Sequence, residues 1–187
     1  MREVFGNRTL LWFTIIVLLT FSKLGADGKS VPDENCYYSL SEIRTGATVS
    51  FVKGIASKEF GPKLRFRAAN WNDVDFDEVY GIPKPERLGL NGLEFYKVDP
   101  LDPCLEIVFA EDGSVGMIHT QFEDEISLMR NSEIVAHIGE QYSEVISNFR
   151  PFLHEDLGDK VTYRLPDGQT LVLHFLERDL IGFTLSI

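Results

Sequence analysis

The chain has 187 residues, 44% of them hydrophobic, with 29 acidic against 18 basic side chains and a formal net charge of −11. That is enough apolar material for one ordinary domain or two very small ones. The acidity argues against nucleic acid and anionic membrane surfaces, both of which need a basic footprint, and is compatible with a basic protein partner or with solubility alone.

In chain order, the first element is a targeting segment. Arg2 and Arg8 precede the apolar run Leu10–Phe21, which has the length of a signal h-region and is short for a membrane span. Leu24-Gly25-Ala26 follows where a signal peptidase would cut, so residues 1–26 are expected to be a signal peptide. Lys23 lies close to the cut, and an uncleaved anchor is the other reading. The expected location is therefore the periplasm or the extracellular space, with attachment to the inner membrane if the segment stays, and the chain touches a membrane through that segment only. No lipid-anchor cysteine follows, because Cys36 is preceded by Asp33-Glu34-Asn35. Without residues 1–26 the net charge is about −13.

Residues 27–70 form an N-terminal extension. Ser39 and Glu42 have capping-box spacing. Thr48–Ile55 and Lys63–Ala69 read as strands. The second alternates Leu64, Phe66 and Ala68 with Lys63, Arg65 and Arg67, a basic cluster suited to an edge strand protected by charge. Cys36 and Cys104 are the two cysteines. In an oxidising compartment a lone pair reads as one disulfide closing a long loop, worth about 4 kcal/mol before strain; two buried thiols are the alternative.

Residues 71–122 form a first α-β-β-β unit. Phe76, Val79 and Tyr80 start a short helix, Asp73 and Asp75 can cap it, and Pro83 and Pro85 stop it. Strands are expected at Leu93–Val98, Cys104–Ala110 and Val115–Thr120, separated by Asp99-Pro100-Leu101-Asp102-Pro103 and Glu111-Asp112-Gly113. Residues 123–137 connect to a second unit, 138–187. There Tyr142, Val145, Ile146 and Phe149 make one apolar stripe, ended by Pro151, before strands at Lys160–Leu165, Thr170–Leu176 and Leu180–Ser186.

The two units echo each other at a period of about 66 residues. Asp77-Glu78-Val79 matches Ser143-Glu144-Val145, Leu105–Phe109 matches Leu171–Phe175, and Val115-Gly116-Met117 matches Ile181-Gly182-Phe183. The expected class is α+β: two tandem α-β-β-β repeats, an antiparallel sheet with short helices packed on one face, and a strand-rich extension. Alternation puts Leu105, Ile107, Phe109, Leu171, Leu173 and Phe175 under the helices. The opposite face would carry Phe95, Lys97, Glu106, Val108, Ile118 and Thr120, then Thr162, Arg164, Val172, His174, Thr184 and Ser186. Such a mixed face is either a binding surface or a face covered by the extension.

The segment His137–Ile146 with the strands after it, and a weaker echo from Asn72 to Tyr80, resembles the β-lactamase-inhibitor-protein-like group over roughly residues 70–187. That group includes tandem two-unit inhibitors and single-unit outer-membrane assembly lipoproteins. The resemblance implies a concave free face that grips a protein and a unit-one loop that reaches into it. On these grounds the candidate partner-binding residues are Phe95, Asp99, Asp102, Val108, Ile118, Arg164 and His174. The chain departs from the group in its N-terminal extension and in lacking a lipidation cysteine.

Catalytic signatures are missing: there is no G-x-S-x-G, H-E-x-x-H, P-loop or G-x-G-x-x-G. His119, His137, His154 and His174 are scattered, the strand histidines reading as packed or surface groups. His154-Glu155-Asp156 reads as a solvated loop. Asp73-x-Asp75-x-Asp77 starts like an EF-hand loop but has Glu78 and Lys84 at its sixth and twelfth positions, so capping accounts for it better. No cofactor and no metal are expected. The leading expectation is an exported inhibitor or immunity protein; the alternatives are an envelope assembly accessory and a small hydrolase whose carboxylate pair only geometry could reveal.

Overall fold

Alternating apolar residues punctuated by Asp-Gly turns build most of the molecule. The computed structural model describes residues 37–187 apart from 85, 100–102, 123–125 and 150–151. Its elements are β1 (Tyr38–Leu40), α1 (Val49–Phe60), β2 (Arg65–Asn70), α2 (Phe76–Tyr80), β3 (Leu88–Tyr96), β4 (Leu105–Ala110), β5 (Val115–Gln121), β6 (Ser127–Arg130), β7 (Glu133–His137), α3 (Tyr142–Phe149), β8 (Leu153–Asp156), β9 (Lys160–Arg164), β10 (Thr170–Leu176) and β11 (Asp179–Ser186). The class is α+β, mostly antiparallel sheet with a few short helices.

Among the described residues there are two sheets. The larger has eight strands in the order β2-β3-β4-β5-β11-β10-β9-β8, and the smaller has the order β1-β6-β7. Short turns force antiparallel neighbours. At Glu111-Asp112-Gly113 the Asp112 carboxylate accepts from the Ser114 amide at 2.9 Å, and at Pro166-Asp167-Gly168 the Asp167 carboxylate accepts from the Gln169 amide at 3.1 Å. The strands of the two expected units join through their last members, β5 and β11, with Ile118 opposite Leu185 and Thr120 opposite Phe183.

Both faces of the large sheet are covered, unequally. The first face presents Leu105, Ile107, Ile118, Tyr163, Leu173 and Phe183 to α1, α3 and the small sheet, which contribute Val52, Ala56, Val145, Phe149, Leu40 and Leu128. Phe149 links these layers, its ring lying 5.4 Å from Tyr163 and 6.1 Å from Tyr38. The second face presents Val108, Met117 and Val172 to α2 and its flanks, where Trp71, Phe76, Tyr80 and Ile82 pack.

Several expectations are corrected. The helices sit on opposite faces: α3 packs on the first, as expected, but α2 packs on the second. Thr48–Ile55 is helical, not a strand. Thr48 caps α1, and Val49, Val52 and Ala56 fall at helical spacing toward the core, which outweighs the β-branched start. Among its described residues the extension holds one helix, one six-residue strand and one three-residue strand, rather than strands alone. Ser39 lies in β1 rather than at a helix start, its hydroxyl donating to the Ser41 carbonyl at 2.7 Å. The connector contains β6 and β7, and His154-Glu155-Asp156 lies in β8 rather than in a loop.

Candidate functional site

On the second face the pairing register draws one row of side chains across five strands: Arg67, Glu94, Glu106, His119 and Thr184 stand opposite one another in turn. Directly opposed residues share a face and stand about 5 Å apart, so the row is continuous. His174 joins it diagonally from β10. Above the row lies α2. Asp75 caps this helix by accepting from the amides of Asp77 and Glu78. Gly81 ends it at φ 70°, a conformation that favours glycine, and an added Cβ would stand 3.1 Å from Val172 and 3.2 Å from Lys160, so those side chains would have to give way. Lys160 fastens the helix further by donating to the carbonyls of Asp77 and Glu78.

A hydrogen-bonded network runs beneath α2. The Trp71 indole donates to the Tyr80 hydroxyl at 2.5 Å, and the Tyr80 hydroxyl donates to Glu106 Oε1 at 3.2 Å. Glu106 Oε2 lies 3.8 Å from His119 Nε2. His119 Nδ1 and His174 Nε2 are each 2.8 Å from Thr184 Oγ1, so the hydroxyl donates to one imidazole and accepts from the other. The Tyr80 ring meets the His119 ring edge-on at 4.9 Å, and the two imidazoles meet at 5.3 Å. At the exposed end, Arg67 pairs with Glu94.

Burial sets the protonation of this network. Desolvation pushes Glu106 up to about 7, with Glu94 adding to the rise and the Tyr80 and Trp71 donors opposing it. Desolvation, helped by the Lys160 ammonium, pulls His174 down to about 4. His119 is held well below its ordinary value by desolvation, then by His174 and Lys160. Tyr80 is raised by burial and by Glu106. The contact between Glu106 and His119 near pH 6 is therefore one between a protonated carboxyl and a neutral imidazole, not an ion pair. Chemically the row can store one proton close to neutrality.

The expected binding residues are scattered through this arrangement. Phe95 and Ile118 belong to the first face and are fully buried there, Phe95 opposite Leu105 and Ile118 opposite Ile107, so neither can touch a partner. Thr120 shares that face. Val108 is on the second face as expected but is sealed beneath α2, and His174 is buried in the network. Arg164 is exposed at the end of β9, and Asp99 is exposed just past β3. Asp102 and Cys36 fall outside the described residues, and with Cys36 the disulfide. Cys104 is buried, with Sγ 3.3 Å from the Phe95 carbonyl. Among the described residues no three His, Cys, Asp or Glu side chains converge to hold a metal, and no helix is long and apolar enough to cross a membrane.

Trp71, Tyr80, Glu106, His119 and Thr184 were not among the expected site residues. One signal was available: Glu106, His174 and Thr184 interrupt apolar strands in the phase that the alternation assigns to a single face. A separate groove of about 600 Å³, lined by Arg130, Glu133, Ile134, His137 and Asn148, lies between β7 and α3, away from the network. Comparison of the chain with models of protein families, with curated proteins and with solved structures finds no match.

Proposed function

We propose that the chain is an exported binding protein of inhibitor or immunity type, which holds a partner protein against the part of the second face that α2 leaves open. One observation carries this reading. Glu94, Tyr96 and Gln121 stand part-exposed on that face, next to the end of β3 where Asp99 is exposed. A tyrosine flanked by charged and amide groups has the composition of an interface core with its rim. The network beneath α2 supports the reading in a second way: it fixes the floor of the strip and so lowers the ordering cost of binding. The net charge of −11 favours a basic partner, an enzyme or a toxin. Export and the resemblance to β-lactamase-inhibitor-like proteins belong to the same proposal.

A second reading, a small hydrolase, is favoured by the Glu106 carboxyl, which burial has pushed up to about 7, into the range of a general acid. Against it, Glu106 is already engaged by Tyr80 and His119 beneath a helix. Affinity capture with the chain as bait, from envelope and culture fluid of its source, separates the two. The expected result is one stoichiometric, salt-sensitive partner whose binding weakens about tenfold with Tyr96→Ala and with Asp99→Ala. Failure of a folded bait to capture anything, or capture indifferent to both substitutions, overturns the binding reading. Partner-free hydrolysis that Glu106→Gln abolishes would establish the other.

A further inference from the structure

The two edges of the large sheet differ in charge and match in shape. Strands β2 and β8 end the sheet, and among the described residues no strand pairs with the outer side of either. The sheet has eight strands and is antiparallel at every junction, so β2 and β8 run in opposite directions. A second copy set beside the first in the same orientation would therefore bring its β8 antiparallel to β2, continuing the ladder without turning a face over.

The faces then agree as well. Arg65 and Arg67 lie on the second face, opposite Tyr96 and Glu94. Glu155 lies on that same face, opposite Thr162, which is itself opposite Val172. Phe66 lies on the first face, opposite Phe95, and Leu153 lies on it too, opposite Tyr163. Joining the edges would put arginines beside Glu155 on one side and Phe66 beside Leu153 on the other. These two apolar residues are 48% and 43% exposed, which a purely protective edge does not explain. The like-edge alternatives are opposed by charge, since β2 against β2 crowds arginines and β8 against β8 crowds Glu155 and Asp156.

We propose that copies of this chain associate head to tail, the edge strand β2 of one pairing antiparallel with the edge strand β8 of the next. Such a contact is heterologous and does not close by symmetry, so the assembly is open-ended. With only four residues in β8 the contact is weak and salt-sensitive. The inference rests on the edges and does not depend on the proposed partner.

Sedimentation and light scattering of the chain across a wide concentration range test it, with Arg65→Glu and Glu155→Arg as exposed-site variants whose folding is checked by circular dichroism. The expected wild-type mass climbs continuously with concentration and falls in high salt. Each variant alone should lose association by about tenfold or more, and an equimolar mixture of the two should recover it, because each then offers the edge the other lacks. A wild type that remains monomeric, a closed dimer that does not grow, or association untouched by salt and by both reversals overturns the proposal.

Discussion

The two faces of the large sheet solve the same problem differently. The first is covered by two helices and a second sheet, and its floor is almost wholly apolar. The second is crossed by a five-residue helix, too little to exclude water by apolar area alone, and it holds a partly buried carboxyl, two buried imidazoles and a buried hydroxyl in a row. There the groups stay dry because each finds a partner: a buried polar atom costs little when bonded and much when orphaned. Stability on the first face should therefore track volume, and on the second it should track hydrogen bonding.

Neighbouring residues of β11 put that contrast to the test. Phe183 is fully buried on the first face, and Phe183→Ala should cost about 3–5 kcal/mol in denaturant titrations, since the surrounding layers cannot collapse into the space of a ring. A loss below about 1 kcal/mol would mean that the first face is not the main core. Thr184 points to the other face. Thr184→Val preserves its shape and removes almost no apolar contact, yet it takes the shared partner from His119 Nδ1 and His174 Nε2. A loss of about 2–3 kcal/mol is expected, with new imidazole tautomer signals by NMR. An unchanged midpoint would mean that the row is not hydrogen-bonded as described.

What the sequence reveals of this design follows the range of the interactions. Local signals were legible: the places of the six strands expected after the two short helices, the stripe of α3, the basic strand β2 at an edge, and the Asp75 cap. Helix α1 was obscured because Thr48-Val49-Ser50-Phe51-Val52 has strand-like composition while its burial has helical spacing. Ile118 was misread because a bulge between Val108 and Phe109 shifts the β4–β5 register by one residue, and Phe95 because the β3–β4 pairing sets it opposite Leu105, which alternation within β3 alone does not state. The network was the least legible part. His119 and His174 meet through Thr184 only because β11 lies between β5 and β10, an order of strands that no local pattern states.

The smallest expected effect tests why the second face tolerates ionisable groups at all. Burial lifts Glu106 from 4.5 to about 7, so across that window the folded protein holds a proton that the unfolded chain has released, and the contribution of Glu106 to stability falls as pH rises. The histidines act with the opposite sign. His174 is drawn from 6.5 down to about 4 and His119 moves the same way, so the unfolded chain binds protons that the folded one refuses, and stability rises between these values. Two imidazoles outweigh one carboxyl up to about pH 7, where the opposing effects balance, which puts the maximum of this network's contribution near that value. Glu106→Gln keeps a carbonyl oxygen for Tyr80 and cannot ionise, so it should remove the descending limb alone. At pH 8 the variant should be more stable than wild type by about 2 kcal/mol, and at pH 5 the two should coincide. Urea titrations at both pH values decide the matter. Equal differences at the two would show that Glu106 does not change its protonation between them. A variant less stable than wild type at pH 8 would show an ionised carboxylate in the fold, held by an imidazolium at His119 after all, and the second face would then owe its stability to charge rather than to neutral hydrogen bonds.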